Sequence, residues 1–377
     1  MAALGASVTL PGCLSLPSVN ENELGPILGD WSMDGGGPGH ARYAETGPVD
    51  PETVWEREFD SVRAVGTPSL GNDRLYAPAD AVTEQSRSRY RLYALETGAG
   101  EVRWHVPMRA EPNGSPAVEW NRIVVSAKRS LERGRLLGFE PKYGGESWLY
   151  DVDARLTAPP TVDDGYVYVG DWSGTVHVLD VRSGEPRWRR RIDADDGGRT
   201  FTGAGAVHDG TLFLGSQSGN TGLVALYAGT GNERWRASTG PVTVGPVANG
   251  DLVLVGSHGL ATAFGLDGTR RWSFNVPAES GRPMAVDEKR VYVPGRETLY
   301  AVSRDGEEAW RADDVSGTPT VAGDAVIVRE EGSLRGFDAA DGTERWSVSV
   351  DGVGEAVVDP RAVFLSTGAR VQGLSHG

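Results

Sequence analysis

The sequence predicts an all-β protein: an eight-bladed β-propeller of four-stranded antiparallel blades, closed by an N-terminal strand that pairs into the last blade. Three observations predict it. Glycine supplies 52 of the 377 residues, about twice the usual share and too much for a helical protein. Short alternating segments such as GYVYVG, GTLFLG, DLVLVG and AVIVRE are bounded by Gly, Asp and Asn turns, which is the pattern of half-buried strands. A tryptophan that follows a Gly-bearing turn recurs at intervals of 36 to 47 residues, the length of one four-stranded blade.

Taken in chain order, residues 2–16 (AALGASVTLPGCLSL) are apolar but too short to cross a bilayer as a helix. They read as the end of a signal peptide, and Leu10-Pro11-Gly12-Cys13 resembles a lipobox with Cys13 as the lipidated residue. The domain boundaries that follow are 1–13 for a truncated signal, 14–30 for a polar, Pro-bearing tether and 31–377 for the propeller. The basic stretch that an export signal needs does not precede the apolar run.

The ring itself is counted from its tryptophans. Trp104, Trp148, Trp188, Trp235, Trp272, Trp310 and Trp346 each end a repeat, and Trp55 in TVWEREF is a fourth strand with no three strands before it. The C-terminal run from Gly354 to Leu374 supplies three strands with no tryptophan after them. Joining these two fragments makes an eighth blade, and closure removes the sheet edges that would otherwise template aggregation.

The Gly-bearing turn and its tryptophan, as in AADGTERW and AGTGNERW, resemble the docking motif of the pyrroloquinoline-quinone (PQQ) repeat family, as does Trp31 followed by Gly35-Gly36 and Tyr43. The resemblance runs from residue 31 to about 374 and implies that the eight tryptophans pack between neighbouring blades. Blades 2, 5 and 6 depart from the motif at Tyr143-Gly144, GLDGTRRW and Ser303-Arg304. It also implies, for the dehydrogenases of this family, a quinone over the central channel and a calcium ion held by Glu, Asn and Asp.

The innermost strands offer little for that chemistry. Among the residues expected to line the channel only Arg282 and Glu355 are charged, and Cys13 is the single cysteine. Calcium needs six to eight oxygen ligands, so neither PQQ nor calcium is expected and no catalytic, cofactor or metal residue is assigned. The six histidines show no metal-ligand spacing and are expected on strand surfaces or loops. Gly35-Gly36-Gly37 reads as a flexible entry loop.

Net charge is −15, with 37 Lys and Arg of which only Lys128, Lys142 and Lys289 are lysine. Acid excess with little lysine resembles the proteins of salt-accumulating halophiles, in particular haloarchaeal surface lipoproteins. It also speaks against nucleic acid, whose phosphates need a cationic surface. In a meander blade the second-to-third turns and the blade-to-blade connections share one face. Insertions there place Arg87, Arg89, Arg129, Arg133, Trp172, Arg190, Arg191 and Arg199 over adjoining blades, a mixture of residue types common at interface hot spots. The same arginines could instead be spent on Glu84, Glu132, Asp193, Asp195 and Asp196 as loop ion pairs. The function expected is a monomeric, non-catalytic scaffold for a protein partner, exported and lipid-anchored at the extracellular face. It is similar in fold and tethering to the propeller lipoprotein of bacterial outer-membrane assembly. The alternatives are a quinoprotein dehydrogenase and a carbohydrate-binding or sensor module.

Overall fold

A computed structural model describes residues 31–48, 50–82, 89–193, 199–219, 222–277, 281–352 and 354–376. The proposed signal, Cys13 and the tether fall outside the described residues, as does Arg87. The regular elements of the described residues are all strands, arranged in eight antiparallel sheets around a ring. Blade 3 shows the plan: Thr161–Asp163 innermost, then Tyr166–Gly170, Thr175–Asp180 and Pro186–Arg191 outermost. The middle strands are buried along nearly their whole length because both sheet faces meet a neighbouring blade, and the outermost strand is mostly exposed. Continuous apolar runs in the middle and polar ones outside are what that position demands.

Ring closure follows the sequence expectation. Pro51–Glu58 pairs antiparallel with Arg370–His376, setting Trp55 against Gly373 and Glu58 against Arg370. Blade 8 is thus built from Ala356–Asp359, Ala362–Thr367, Arg370–His376 and the strand from the start of the chain.

One joint recurs between blades. The indole N–H of Trp148, on the fourth strand of blade 2, donates to the Val181 carbonyl in the third-to-fourth turn of blade 3 at 3.0 Å. Trp55, Trp104, Trp188, Trp235, Trp272 and Trp310 donate in the same way to Thr97, Pro141, Ala228, Leu266, Arg304 and Ala339, at 2.7 to 3.0 Å. The turn glycine is required twice over. Gly184 has φ +70°, and a Cβ there would lie 2.5 Å from the Trp148 ring. Because the acceptor is a backbone carbonyl, the turns that depart from the motif in blades 2, 5 and 6 keep the bond. Trp346 is buried like Trp148, but blade 8 has no continuous turn at that place, and its indole finds no hydrogen-bond partner among the described residues.

The central channel holds a second, non-repeating element. Residues 31–44 circle its lower end and accept one amide after another from the innermost strands. Leu70 donates to Trp31, Val118 to Ser32, Val207 to Pro38, Ala248 to Gly39, Val286 to Ala41 and Val321 to Arg42, at 2.7 to 2.8 Å. Tyr43–Ala44 then pairs parallel with Val321–Ala322 of blade 7. The donors all lie about two residues before the first-to-second turns, so this segment floors the channel on the face of those turns. Gly35-Gly36-Gly37 is no loose entry loop. Met33 and Gly36 exchange both backbone bonds, and a Cβ on Gly39 would sit 2.3 Å from the Ala248 carbonyl oxygen.

Candidate binding surfaces of the ring

The floor carries a buried charge cluster. His40 and Arg42 both adopt left-handed backbone conformations, with φ 53° and 51°, a strain that persists only where the surroundings impose it. Arg42 is 1% exposed; its Nε donates to the Pro319 carbonyl at 3.2 Å, its Nη1 pairs with Glu355 at 3.3 Å, and its guanidinium lies over the Trp31 ring. Asp34 also faces Arg42. Burial raises both carboxyls above their ordinary range, against the pull of the guanidinium, since desolvation penalises the charged form. His40 Nε2 meets Thr161 Oγ1 at 2.9 Å, and that hydroxyl donates to the Gly205 carbonyl. With the threonine proton so committed, His40 donates through Nε2. Burial holds its pKa down at about 4.

Two expectations are corrected here. His40 is neither on a strand surface nor in an open loop, because the segment around it is threaded into the ring, and His177 is likewise buried, paired with Asp171 at 3.0 Å. The charged groups at the channel are not only those of the inner strands, since Asp34, His40 and Arg42 arrive from the chain's own start. A calcium-bound quinone would need six to eight oxygen ligands from this donor set. Among the described residues no three His, Cys, Asp or Glu side chains gather as metal ligands, and the two floor carboxyls already face a fixed cation. The residues present do not fit the group.

The upper face, opposite the floor, carries the arginines singled out in the sequence, and the structure divides them. Arg89 grips Asp80 through Nε and Nη2. Arg129 meets Asp151 at 3.0 Å, and Arg133 is exposed beside the same carboxylate. Trp172 is 37% exposed, donates to Thr157 Oγ1 at 2.8 Å and is covered by the Arg155 guanidinium, 3.8 Å from its ring centre. The remaining three differ among themselves: Arg191, opposite Thr175 and three residues past Trp188 as Asp151 is past Trp148, is exposed at this face, whereas the other two turn away from it. Arg190 and Arg191 lie on the outermost strand of blade 3, because that strand runs on to residue 191, and Arg190 donates to the Gly231 carbonyl of blade 4. Arg199 is 2% exposed, its Nε turned inward to the Asp193 carbonyl at 3.0 Å.

Sequence reading missed Arg63, Arg109 and Arg155, all exposed on the same rim. Arg135, which the blade 2 insertion also carries, stands directly opposite Asp151 across the hairpin and bonds it at 2.8 Å. Once Trp148 fixes the fourth strand of blade 2, hairpin register pairs residues 135 and 151, so that signal was present. Among the described residues the ion pairs of these arginines use strand carboxylates, Asp80 and Asp151, and not the loop acids Glu132 and Asp193, while Glu84, Asp195 and Asp196 lie outside the described residues. No helix of the described residues is long and apolar enough to cross a membrane.

Comparison with known proteins places this geometry. The profile of the PQQ_2 family, described as outer membrane protein assembly factor BamB, matches residues 44–264 and 257–374. Outer membrane protein assembly factor BamB of Shewanella oneidensis is 25% identical over 280 residues, covering 70% of this chain and 60% of that protein. The quinohemoprotein alcohol dehydrogenase of Comamonas testosteroni is 29% identical over 163 residues, covering 37% of this chain and 23% of the enzyme. The chain thus spans less than two thirds of the length of these curated relatives. The crystal structure of the Comamonas enzyme superposes with a TM-score of 0.73 at 16% identity, covering 93% of this chain and 80% of that one, a likeness of fold.

Proposed function

This chain belongs to the PQQ_2 family of β-propellers, described as outer membrane protein assembly factor BamB, and from that premise we propose that it is a non-catalytic scaffold holding a protein partner at the cell envelope. One observation carries the reading. The charged groups of the channel are spent on one another, with Asp34 and Glu355 turned on Arg42, whereas exposed guanidiniums remain on the upper face of blades 1 to 3. A channel so arranged has structural work to do, and the open rim is left for association. Export as a lipoprotein anchored through Cys13, display at the extracellular face and a monomeric state form part of the same proposal. The acid excess and the scarcity of lysine support an owner that works in concentrated salt, where surface repulsion is screened.

The second reading, a quinoprotein dehydrogenase, is favoured by the likeness to the Comamonas enzyme. Two measurements separate the readings. Purified protein mixed with PQQ and Ca²⁺ is expected to show neither bound quinone absorbance nor alcohol- or sugar-dependent dye reduction; either signal overturns the scaffold reading. Crosslinking on intact membranes in high salt is expected to capture a partner protein with the full chain, and Cys13→Ser is expected to release the protein to the medium. A chain that remains wholly cytoplasmic with or without Cys13 ends the envelope assignment.

A further inference from the structure

The upper rim of blades 1 and 2 carries more guanidinium and ammonium, with Arg63, Arg89, Arg109, Arg129, Arg133, Arg135, Arg155 and Lys128, than its described carboxylates, Asp80, Glu111, Glu132, Asp151 and Asp153, can neutralise. Arg135, Arg129 and Arg133 all act on the single carboxyl of Asp151, and the hydrogen bond from Arg135 leads in holding it below the usual carboxylate range. Asp80 is likewise flanked by Arg89, which bonds it, and by Arg63. Between the two clusters the chain passes from blade 1 to blade 2 through Arg109, which is exposed and has no carboxylate partner among the described residues. Lys128 is balanced by Glu111 at 3.6 Å. The strip continues to Arg155 on Trp172, and Leu131, 72% exposed, stands beside it. All this lies on a chain of net charge −15.

We propose that this strip binds an extended acidic segment of a protein partner, and that Asp80 and Asp151 hold the arginines in the geometry that the partner's carboxylates extend. The inference rests on the scaffold reading and names the chemistry of the partner. Arginine suits this role because its planar fork pairs with carboxylates in a fixed geometry. Arg135, with 12% of its side chain exposed, is the rigid base, and Arg129 and Arg133 are the groups within reach. The occupant is extended because the surplus follows the rim over successive blades. A flat anionic bilayer fits less well. It would meet the whole face, including exposed Asp313, Asp314 and Glu331 of blades 6 and 7, and would be repelled by the net charge. A narrow segment touches the cationic part alone.

The test uses the full chain and a fluorescent twelve-residue peptide of Asp, Glu and Gly with one Leu, read by anisotropy. Saturable binding is expected at 0.1 M salt and, weakened but still measurable, at 1 M, where the Debye length falls to about 3 Å and paired groups at contact distance are screened less than separated ones. Arg129→Glu with Arg133→Glu is expected to weaken it at least about tenfold. Arg133→Glu alone, which removes no side-chain hydrogen bond, should weaken it by about threefold, and Lys142→Glu on the opposite face should leave it unchanged. Circular dichroism melts confirm that each variant is folded. Equal peptide binding by wild type and the double variant overturns the inference. So does sedimentation with phosphatidylglycerol vesicles without peptide binding, or a doubling of mass in light scattering that the double variant abolishes. A partner crosslinked equally by the double variant leaves the scaffold reading standing and removes this one.

Discussion

The joints between blades and the floor of the channel solve one problem, holding neighbouring sheets in register, by opposite means. Seven of the eight joints are an indole laid on a glycine turn, with its N–H on a carbonyl. The joint repeats, asks nothing of the turn's side chains and buries mainly apolar surface. The floor is made once. It threads fourteen residues past the inner strands, accepts their amides, and fixes the result with a buried arginine between two carboxyls. Losing one apolar joint is a local injury, whereas a floor charge left without its counterion is costly wherever it turns.

That contrast can be broken or sharpened by experiment. The largest effect is expected from deleting residues 31–60, which removes the floor and the fourth strand of blade 8 together. The truncated chain is expected to lose its cooperative thermal transition, and a retained melting temperature would show that the floor is dispensable. Next, Arg42→Met leaves the partly buried Asp34 and Glu355 without their cation. A loss of about 3 to 5 kcal/mol is expected in denaturant titrations, recovered in part by Arg42→Met with Glu355→Gln.

Trp148→Ala is expected to cost a similar amount, about 3 to 5 kcal/mol, through the cavity it leaves. Trp346→Ala should cost about 1 kcal/mol less, because its indole lacks the carbonyl bond. Equal losses would assign the joints to packing alone.

The pH dependence separates the two regions further. His40 has a folded pKa of about 4 against an ordinary 6.5, so the unfolded chain binds its proton more readily. Its contribution is therefore full above about 6.5 and drains away as pH falls towards 4, by about 3 kcal/mol at most. Asp34 and Glu355, raised by burial, act in the other sense: their contribution is present in acid and lost as pH rises above the ordinary carboxylate range. His40→Asn should remove the first slope and expose the second. Chemical denaturation between pH 4 and 7 reads this directly, and a wild-type slope unchanged in the variant would mean that His40 is solvated.

How legible each region was in the sequence follows from the same difference. Trp55, Trp104 and their counterparts stand out because repetition marks them, and the closing strand could be placed by counting. The floor has no repeat. Nothing in SMDGGGPGHARYA states that His40 will meet Thr161 or that Arg42 will meet Glu355, 313 residues later, since such contacts exist only once the ring has brought the inner strands together. The upper arginines lie between these cases. Arg89, Arg129, Arg133 and Arg135 could be read as a loop surface, whereas the inward turn of Arg199 depends on its backbone path, and the pairing of Arg135 with Asp151 required hairpin register.

The order of bonds along the floor has a kinetic consequence. Reading from Trp31 to Arg42, the partners come from blades 1, 2, 4, 5, 6 and 7 in the order in which those blades are synthesised. The floor segment leaves the ribosome before any of the blades and is therefore a ruler on which each later blade can be set down as it emerges. Few long-range contacts are left to be found at random, and the return of the last blade, through Glu355 to Arg42 and through Arg370–His376 to Pro51–Glu58, spans nearly the whole described chain. A propeller of this length, whose closure is slow by sequence separation alone, thereby carries a guide for its own vectorial assembly in its opening residues.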